Sequence, residues 1–383
     1  MHVDLEPKRT KHIQPSPYLH QTAYWGRLKK RHGFEARAFD IFLQDESGRR
    51  SDNGEAFRQS PGPSEEASSD MLVVLRSLGR EAQMAYVPFG PEFLPDEEQR
   101  GLWLEHLSER LRPHLPDSCL FIRFDLPWIS PWVEDESRYT ADNQWCGEPK
   151  TRVQEMRMNF DTEHWNLRKA PTDLLPKDTV ILDVSAAEDR ILQRMKPKTR
   201  YNIRLSTRKG VRVREAGLDE LPLWYELYCE TAERHSMLLN DIDYFRSALL
   251  TEAGDSSSPA RVRLLLAEVS GRPIAGIIAA FSGKRATYLY GASSSRSRGF
   301  MAPHALQWAA ICMARKAGCS EYDLFGISPS ADPSHPMYGL YRFKIGFGGR
   351  IVHRQGCWDY PFDEERYEMF RTSEMRGPAF AGS

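Results

Sequence analysis

Along residues 260–326 apolar residues fall in short blocks punctuated by glycine. Arg261–Val269 (RVRLLLAEV), Pro273–Phe281 (PIAGIIAAF) and Arg285–Gly291 (RATYLYG) have the length and apolar character of strands, with turns at Gly271 and Gly283. A polar loop, SSSRSRGFMA, leads to a helix expected from Pro303 to Ala317. Pro303 suits its first turn and Gly318 the position just past its end. A short strand, SEYDLFG, completes the unit.

The first half shows the same order about 204 residues earlier. Met71–Leu78 and Glu81–Val87 read as strands around Gly79, Glu97–Arg112 as an amphipathic helix, and Ser118–Asp125 as a strand. At that offset Gly79 aligns with Gly283, Tyr86 with Tyr290 and Phe121 with Phe325. The pattern predicts a duplicated α/β (α+β) domain with a ligand cleft between the copies. One domain is expected over 1–178, with segment 346–371 returning to it, and the other over 179–345. The Pro/Gly/Ser-rich stretch 48–70 is expected to be a surface loop, and 372–383 a frayed tail.

Between the copies, Thr179–Val184 reads as a strand, and Ser185-Ala-Ala-Glu188 has capping-box spacing for a helix that Pro197 restarts. Within it lies Arg194–Arg214, RMKPKTRYNIRLSTRKGVRVR, with nine cations and no acid in a chain whose formal net charge is −1. Such local segregation of charge points to a polyanion, although a solvated helix face has the same composition. The 383 residues suit two domains. The six cysteines (119, 146, 229, 312, 319 and 357) form no CxxC pair and read as free buried thiols, and the eleven histidines show no ligand spacing, so no metal is expected. No apolar run reaches the length of a membrane span and the N-terminus lacks an apolar signal core, which predicts a soluble, cytoplasmic chain.

The strand–strand–strand–loop–helix–strand order is that of the GNAT (acyl-CoA N-acyltransferase) fold, so two tandem GNAT-like domains are expected. In that fold the loop before the helix binds the coenzyme A pyrophosphate through an R/Q-x-x-G-x-G/A pattern. Here it reads Arg296-Ser-Arg-Gly299-Phe-Met301, with a bulky Met in the last small position. The first copy instead has the acidic, proline-rich Gly90-Pro-Glu-Phe-Leu-Pro-Asp. Both loops argue against coenzyme A, and no other cofactor is expected.

KPKTRYNIRLSTRKGV (196–211) and YGLYRFKIGFGGRIVHRQGCWDYP (338–361) resemble signatures of the Fem family of peptidyltransferases, with support from QTAYWGRLKKRHGF (21–34) and AYVPFGP (85–91). The resemblance covers nearly the whole chain outside 48–70 and the tail. It implies transfer of a small amino acid (glycine, alanine or serine) from aminoacyl-tRNA to a peptidoglycan precursor, either UDP-MurNAc-pentapeptide or lipid II. The acceptor is the amine of residue three of the stem peptide or of a growing bridge. A lipid-linked acceptor would bring peripheral contact with the inner face of the membrane; no DNA partner is implied. Ala216 to Ala260 carries no long charged helical hairpin, as in FemX and unlike FemA and FemB.

Residue by residue, the resemblance places Lys29 at the acceptor's diphosphate, with Arg27 and Lys30 as neighbours able to take that role. It places Asn202, Arg204, Tyr86 and Tyr290 at the acceptor site, and Phe343 with Lys344 at the reaction centre. Each has a plain structural counterpart: a solvated helix lysine for Lys29, and core packing for the tyrosines. Asn202 and Arg204, two residues apart, do not share a helix face unless the helix starts or bends there. A charged Lys344 could stabilise an oxyanion or hold the tRNA 3′ end, but could not serve as general base. No residue is assigned as base; Asp125 and Asp323, read as lying at strand ends, are the only carboxylates worth naming. Two other readings stay open: an N-acyltransferase using tRNA or acyl-coenzyme A on an amine unrelated to peptidoglycan, and a non-catalytic RNA-binding protein.

Overall fold

The structure, a computed structural model, describes residues 2–44, 69–79, 81–235 and 238–376. In the first half, β1 (His2–Lys8) is followed by α1 (Ala23–Arg31), β2 (Glu35–Gln44), β3 (Ser69–Ser77), β4 (Gln83–Val87), α2 (Arg100–Leu111), β5 (Cys119–Ile129), α3 (Thr151–Met158) and the short β6 (Arg168–Lys169). Then come β7 (Asp178–Asp183), α4 (Glu188–Arg194), α5 (Pro197–Arg208), β8 (Arg212–Ala216), α6 (Leu221–His235) and α7 (Ile242–Leu250). The second repeat is β9 (Ala260–Val269), β10 (Arg272–Ser282), β11 (Arg285–Ser293), α8 (Ala302–Lys316) and β12 (Glu321–Gly326). It is followed by α9 (Tyr338–Ile345), β13 (Arg350–Pro361) and α10 (Glu364–Arg376).

Both halves use one device. An antiparallel hairpin, β3–β4 or β10–β11, is followed by a helix that carries the chain over to a strand parallel to the second hairpin strand, β5 or β12. A parallel neighbour requires such a crossover, and α2 and α8 supply it. These are two GNAT-like units in tandem. β13 pairs antiparallel with β5 on one side and β7 on the other, so among the described residues the strands form one continuous sheet.

The alternation of side chains along the strands sorts the cores. Met71, Val73 and Leu75 pack with Trp103 and Leu107 of α2, whereas Leu72 and Val74 face Tyr24 and Leu28 of α1. The core around α1 also takes in Trp224 of α6, Phe245 of α7 and Ile278 of β10. Helix α1 is thereby wedged between the halves, with its apolar face shared by both.

The 204-residue offset holds at one structural point and then breaks. Gln83 pairs with Cys119 as Thr287 pairs with Asp323. In the first half the parallel ladder runs on, through a register shift, to Val87 and Phe124. In the second half Thr287–Asp323 is its last pair, and β11 and β12 part beyond it.

Several expectations need correction. Ser185 does not cap a helix: its amide donates to Asp183 Oδ1 at 2.9 Å, and α4 begins after Ala187 with no side-chain cap. A carboxylate two residues away captured the hydroxyl before the helix could. Residues 372–376 are not a tail but the last turns of α10, held by Glu374 on buried Arg123 at 2.7 Å; 377–383 lie outside the described residues, as does nearly all of the 48–70 loop, of which 69–70 begin β3. Asp125 and Asp323 lie inside β5 and β12, not at their ends. All six thiols are free, but only Cys119, Cys319 and Cys357 are buried. Residues 217–259 hold α6 and α7, of 15 and 9 residues. No helix of the described residues is long and apolar enough to cross a membrane.

Gly101 shows how tightly α2 crosses the end of α3. A Cβ there would stand 1.6 Å from the Met158 carbonyl oxygen, a backbone atom that cannot swing away. Gly101→Ala should destabilise the protein by about 1–3 kcal/mol, the usual cost of overpacking, read as a drop in thermal midpoint with unchanged activity at low temperature.

Candidate active site

A cavity of ≈ 180 Å³ opens where α1 meets the sheet between the halves. Lys29, Arg76, Tyr86, Tyr244, Tyr290, His20 and Phe325 are among its walls. Lys29 is thus no solvated helix lysine. It is 6% exposed, with its Nζ 4.7 Å from the Trp25 ring and 5.9 Å from Tyr244. Burial, reinforced by Arg76, pulls its pKa down to about 7. Its neighbours face elsewhere: Arg27 forks onto Asp255 at 2.6 and 2.9 Å, and Lys30 is exposed.

The two repeat tyrosines meet in this cavity from opposite halves. Tyr86 donates its hydroxyl to Asp125 Oδ2 at 3.0 Å, and Tyr290 shares a 3.0 Å hydroxyl contact with Tyr244. Burial raises both phenols well above their ordinary values, so they are neutral donors. His20, buried and held down to about 3, is a neutral ring lying parallel to Phe325 with centroids 6.1 Å apart.

Lys344 does not line the cavity. It stands on α9 with its Nζ in the opening where β11 and β12 part, donating to the carbonyls of Gly326 (2.6 Å) and Phe325 (3.2 Å) and lying 5.3 Å from the Tyr288 ring. Burial lowers its pKa to about 7, against a weaker upward pull from Asp323. Phe325 links the two places: its ring lines the cavity while its carbonyl binds Lys344. Its backbone is left-handed (φ 59°), an unusual state for a bulky residue, and its amide donates to Asp323 Oδ1 at 2.8 Å.

Asn202 and Arg204 separate as their spacing implies. Asn202 is buried and its Nδ2 lies 3.2 Å from His304 Nε2 on α8, whereas Arg204 is exposed and has no ion pair among the described residues. The His304 ring meets Phe343 edge-on at 5.1 Å. Burial lowers its pKa to about 4, so it is neutral, and its buried Nδ1 has no partner. Asn202 and Phe343 are brought together through a residue that sequence reasoning missed. A lone histidine inside a helix carries no spacing signal. The start of α5 lies against the end of α9, and a Cβ on Gly346 would come within 2.4 Å of Thr199 Oγ1.

Asp125 and Asp323 both already hold hydrogen-bond partners. Asp125 is buried, raised to about 7 by burial, and accepts from Tyr86 and from Leu175 N. Asp323 accepts from Thr179 Oγ1 and from buried Arg354 at 3.2 Å. Before α8, Ser295 N donates to Glu230 at 2.7 Å, and Met301 sits in left-handed backbone (φ 56°) at the helix start.

Known proteins supply the frame for this geometry. The chain is 23% identical over 261 residues to the lipid II:glycine glycyltransferase of Staphylococcus haemolyticus, covering 52% of this chain and 62% of that protein. With the lipid II:glycine glycyltransferase of Staphylococcus aureus (strain USA300) the identity is 24% over 263 residues, at the same coverage. The chain thus spans less than two-thirds of the length of these relatives. A crystal structure of FemX superimposes with a TM-score of 0.68 at 17% identity, over 96% of this chain and all of that one. The FemAB family profile matches residues 14–258 and 263–374, nearly all of the described chain, and the chain belongs to that family.

Proposed function

We propose that this protein is an aminoacyltransferase that moves a small amino acid from aminoacyl-tRNA to the stem-peptide amine of a peptidoglycan precursor on the cytoplasmic side of the membrane. The observation that carries this reading is Phe325, which lines the Lys29 cavity and whose carbonyl accepts from Lys344, so the two buried lysines that would serve acceptor and donor are linked through one residue. The relatives' names, lipid II:glycine glycyltransferase, favour glycine and a lipid-linked acceptor.

The reaction asks little of the protein beyond alignment and electrostatics. The acceptor amine attacks the ester carbonyl, the bond to the ribose oxygen breaks, and the proton lost by the amine is balanced by the one gained by that oxygen. Lys344, charged, stabilises the oxyanion of the tetrahedral intermediate or holds the tRNA 3′ end. Phe343 packs the reaction centre against His304. Lys29 takes the acceptor diphosphate, with Tyr86 and Tyr290 beside it in the cavity and Asn202 and Arg204 meeting the acceptor from α5, outside the cavity walls. The donor is tRNA rather than a coenzyme A thioester. Two features support this: Met301 stands at the start of α8, and Glu230 already occupies the Ser295 amide.

Mass spectrometry of the acceptor after incubation with charged tRNA tests the reaction. The acceptor should gain one amino-acid residue, and acetylating the amine of residue three should abolish the gain. An unchanged acceptor mass would refute the reading. The role of Lys29 has its own signature. With its pKa near 7 it is mostly neutral at pH 8, and a bound diphosphate would recharge it. Acceptor binding at pH 8 should therefore take up a proton, measured by calorimetry in buffers of different ionisation enthalpy, and Lys29→Met should lose that uptake. Equal uptake in both proteins would remove Lys29 from the diphosphate site.

A further inference from the structure

Helix α3 and the loop after it expose large apolar side chains, and hydrogen bonds from behind hold that loop in place. Val153 (44% exposed), Met156 (54%) and Phe160 (60%) follow one another at i, i+3 and i+7, while Gln154 and Met158 are buried behind them. Trp165, 52% exposed, stands at the other end of the same loop.

The loop is fastened from behind. Asn159 closes it, accepting from Leu167 N at 2.9 Å and donating to Leu167 O at 2.8 Å. The buried Glu105 carboxylate accepts the amides of Glu163 (2.6 Å) and His164 (3.0 Å), and Thr162 donates to Asn159 O at 2.8 Å. Asp161 and Trp165 are both left-handed (φ 61° and 52°), a strained state for a tryptophan. A buried carboxylate and a strained backbone thus keep two aromatics in water, where their apolar area costs free energy unless something covers it.

We infer that this loop and the exposed face of α3 form a shallow membrane-docking surface whose partner is a phospholipid bilayer. The apolar residues project from a helix and a loop tip instead of lining a groove, the shape suited to insertion at the headgroup boundary. Tryptophan and phenylalanine are residues that settle there. Lys150 and Arg152, exposed and without an ion pair among the described residues, flank the stripe, whereas Arg157 is paired with Glu97. Asp161 and Glu163 are exposed in the same loop, so aromatic insertion provides most of the binding and anionic lipid adds a modest part. The inference deepens the proposed function and rests on its lipid-linked acceptor: this face would hold the enzyme where such an acceptor is anchored.

The test is co-sedimentation of the whole protein with phosphatidylcholine vesicles, with and without phosphatidylglycerol, in the absence of tRNA and acceptor. The wild type should sediment with both, more with the anionic vesicles. Phe160→Ser with Trp165→Ser should weaken partitioning at least about tenfold while leaving the thermal midpoint and transfer to a soluble nucleotide-linked acceptor unchanged. A wild type that stays in the supernatant, or a double variant that sediments equally, overturns the inference. Loss of the thermal midpoint in the serine pair would be resolved with Phe160→Leu and Trp165→Leu, which should keep most of the binding; loss of binding there overturns it too. Vesicle binding without transfer would contradict the proposed function alone, and transfer without vesicle binding the docking surface alone.

Discussion

Lys344→Met is expected to lower the turnover of aminoacyl transfer by about 10²–10³-fold, the range seen when one preorganised oxyanion donor is removed, while acceptor affinity changes little. Methionine nearly matches the lysine stem in volume, so the surroundings of this 4%-exposed side chain need not collapse. What disappears is a cation aimed into the opening between β11 and β12 and anchored on the Phe325 and Gly326 carbonyls. Single-turnover rates with saturating charged tRNA, beside acceptor dissociation constants, separate the two effects. A larger loss in acceptor binding than in rate would make Lys344 an anchor. Because burial holds its pKa near 7, a role for the charged form predicts a rate that falls as pH rises through that value. Its effect on stability has the opposite sense. Between about 7 and the ordinary 10.5 the unfolded chain holds a proton that the native chain lacks, so this group makes stability rise with pH across that window, and Lys344→Met removes its share of the slope.

Arg123→Met should be the most damaging single change to stability, at about 3–5 kcal/mol, because it leaves two buried carboxylates without their counter-charge. Arg123, on β5, binds Asp359 through Nε and Nη2 at 2.7 Å each, and Glu374 through Nη1 at 2.7 Å and Nη2 at 2.9 Å. Tyr367 also donates to Asp359 at 3.0 Å. The cluster clamps β13 and α10 onto the first half, with all three charged groups almost wholly buried. Burial alone would raise Glu374, but the bonds from Arg123 prevail and its pKa is lowered. Its contribution is therefore present above the unfolded carboxylate pKa and fades as pH falls through the lower folded value. Urea unfolding at constant m measures the loss. Arg194→Ala, which breaks a half-exposed pair with Asp183, should cost no more than about 1 kcal/mol and serves as the comparison. Equal losses in the two variants would mean that the buried cluster is not the clamp.

The second repeat was legible because its strands are long apolar blocks cut by Gly271 and Gly283, a local signal needing no partner. The first repeat was recognisable only by its order, since the extra parallel pairing of β4 with β5 follows a register shift that no letter encodes. Helix α9 has a weak local signal because Gly339 lies in its first turn and Gly346 just past its end; packing of that end on α5, close enough to exclude a side chain at Gly346, sets its place. The basic run illustrates what a local charge count overlooks. Arg194 is paired with Asp183, and Arg214 with Glu220 and Glu268, carboxylates outside the run. Lys209 donates to the Gly299 carbonyl at 2.7 Å. Much of the apparent polyanion signal is structural, and Arg204 and Arg208 are among the exposed cations that remain. Lys29 and Lys344 stood out only through the motifs shared with the family. Lys29 is buried by rings from both halves, Trp25 and Tyr244, and Lys344 by carbonyls and a ring of β11 and β12.

The donor is the claim on which the rest depends. Purified protein, a pentapeptide acceptor and tRNA charged with a radiolabelled amino acid should give labelled acceptor, and ribonuclease treatment of the charged tRNA should abolish the label. Labelling that survives ribonuclease and instead requires an acyl-coenzyme A would contradict the account.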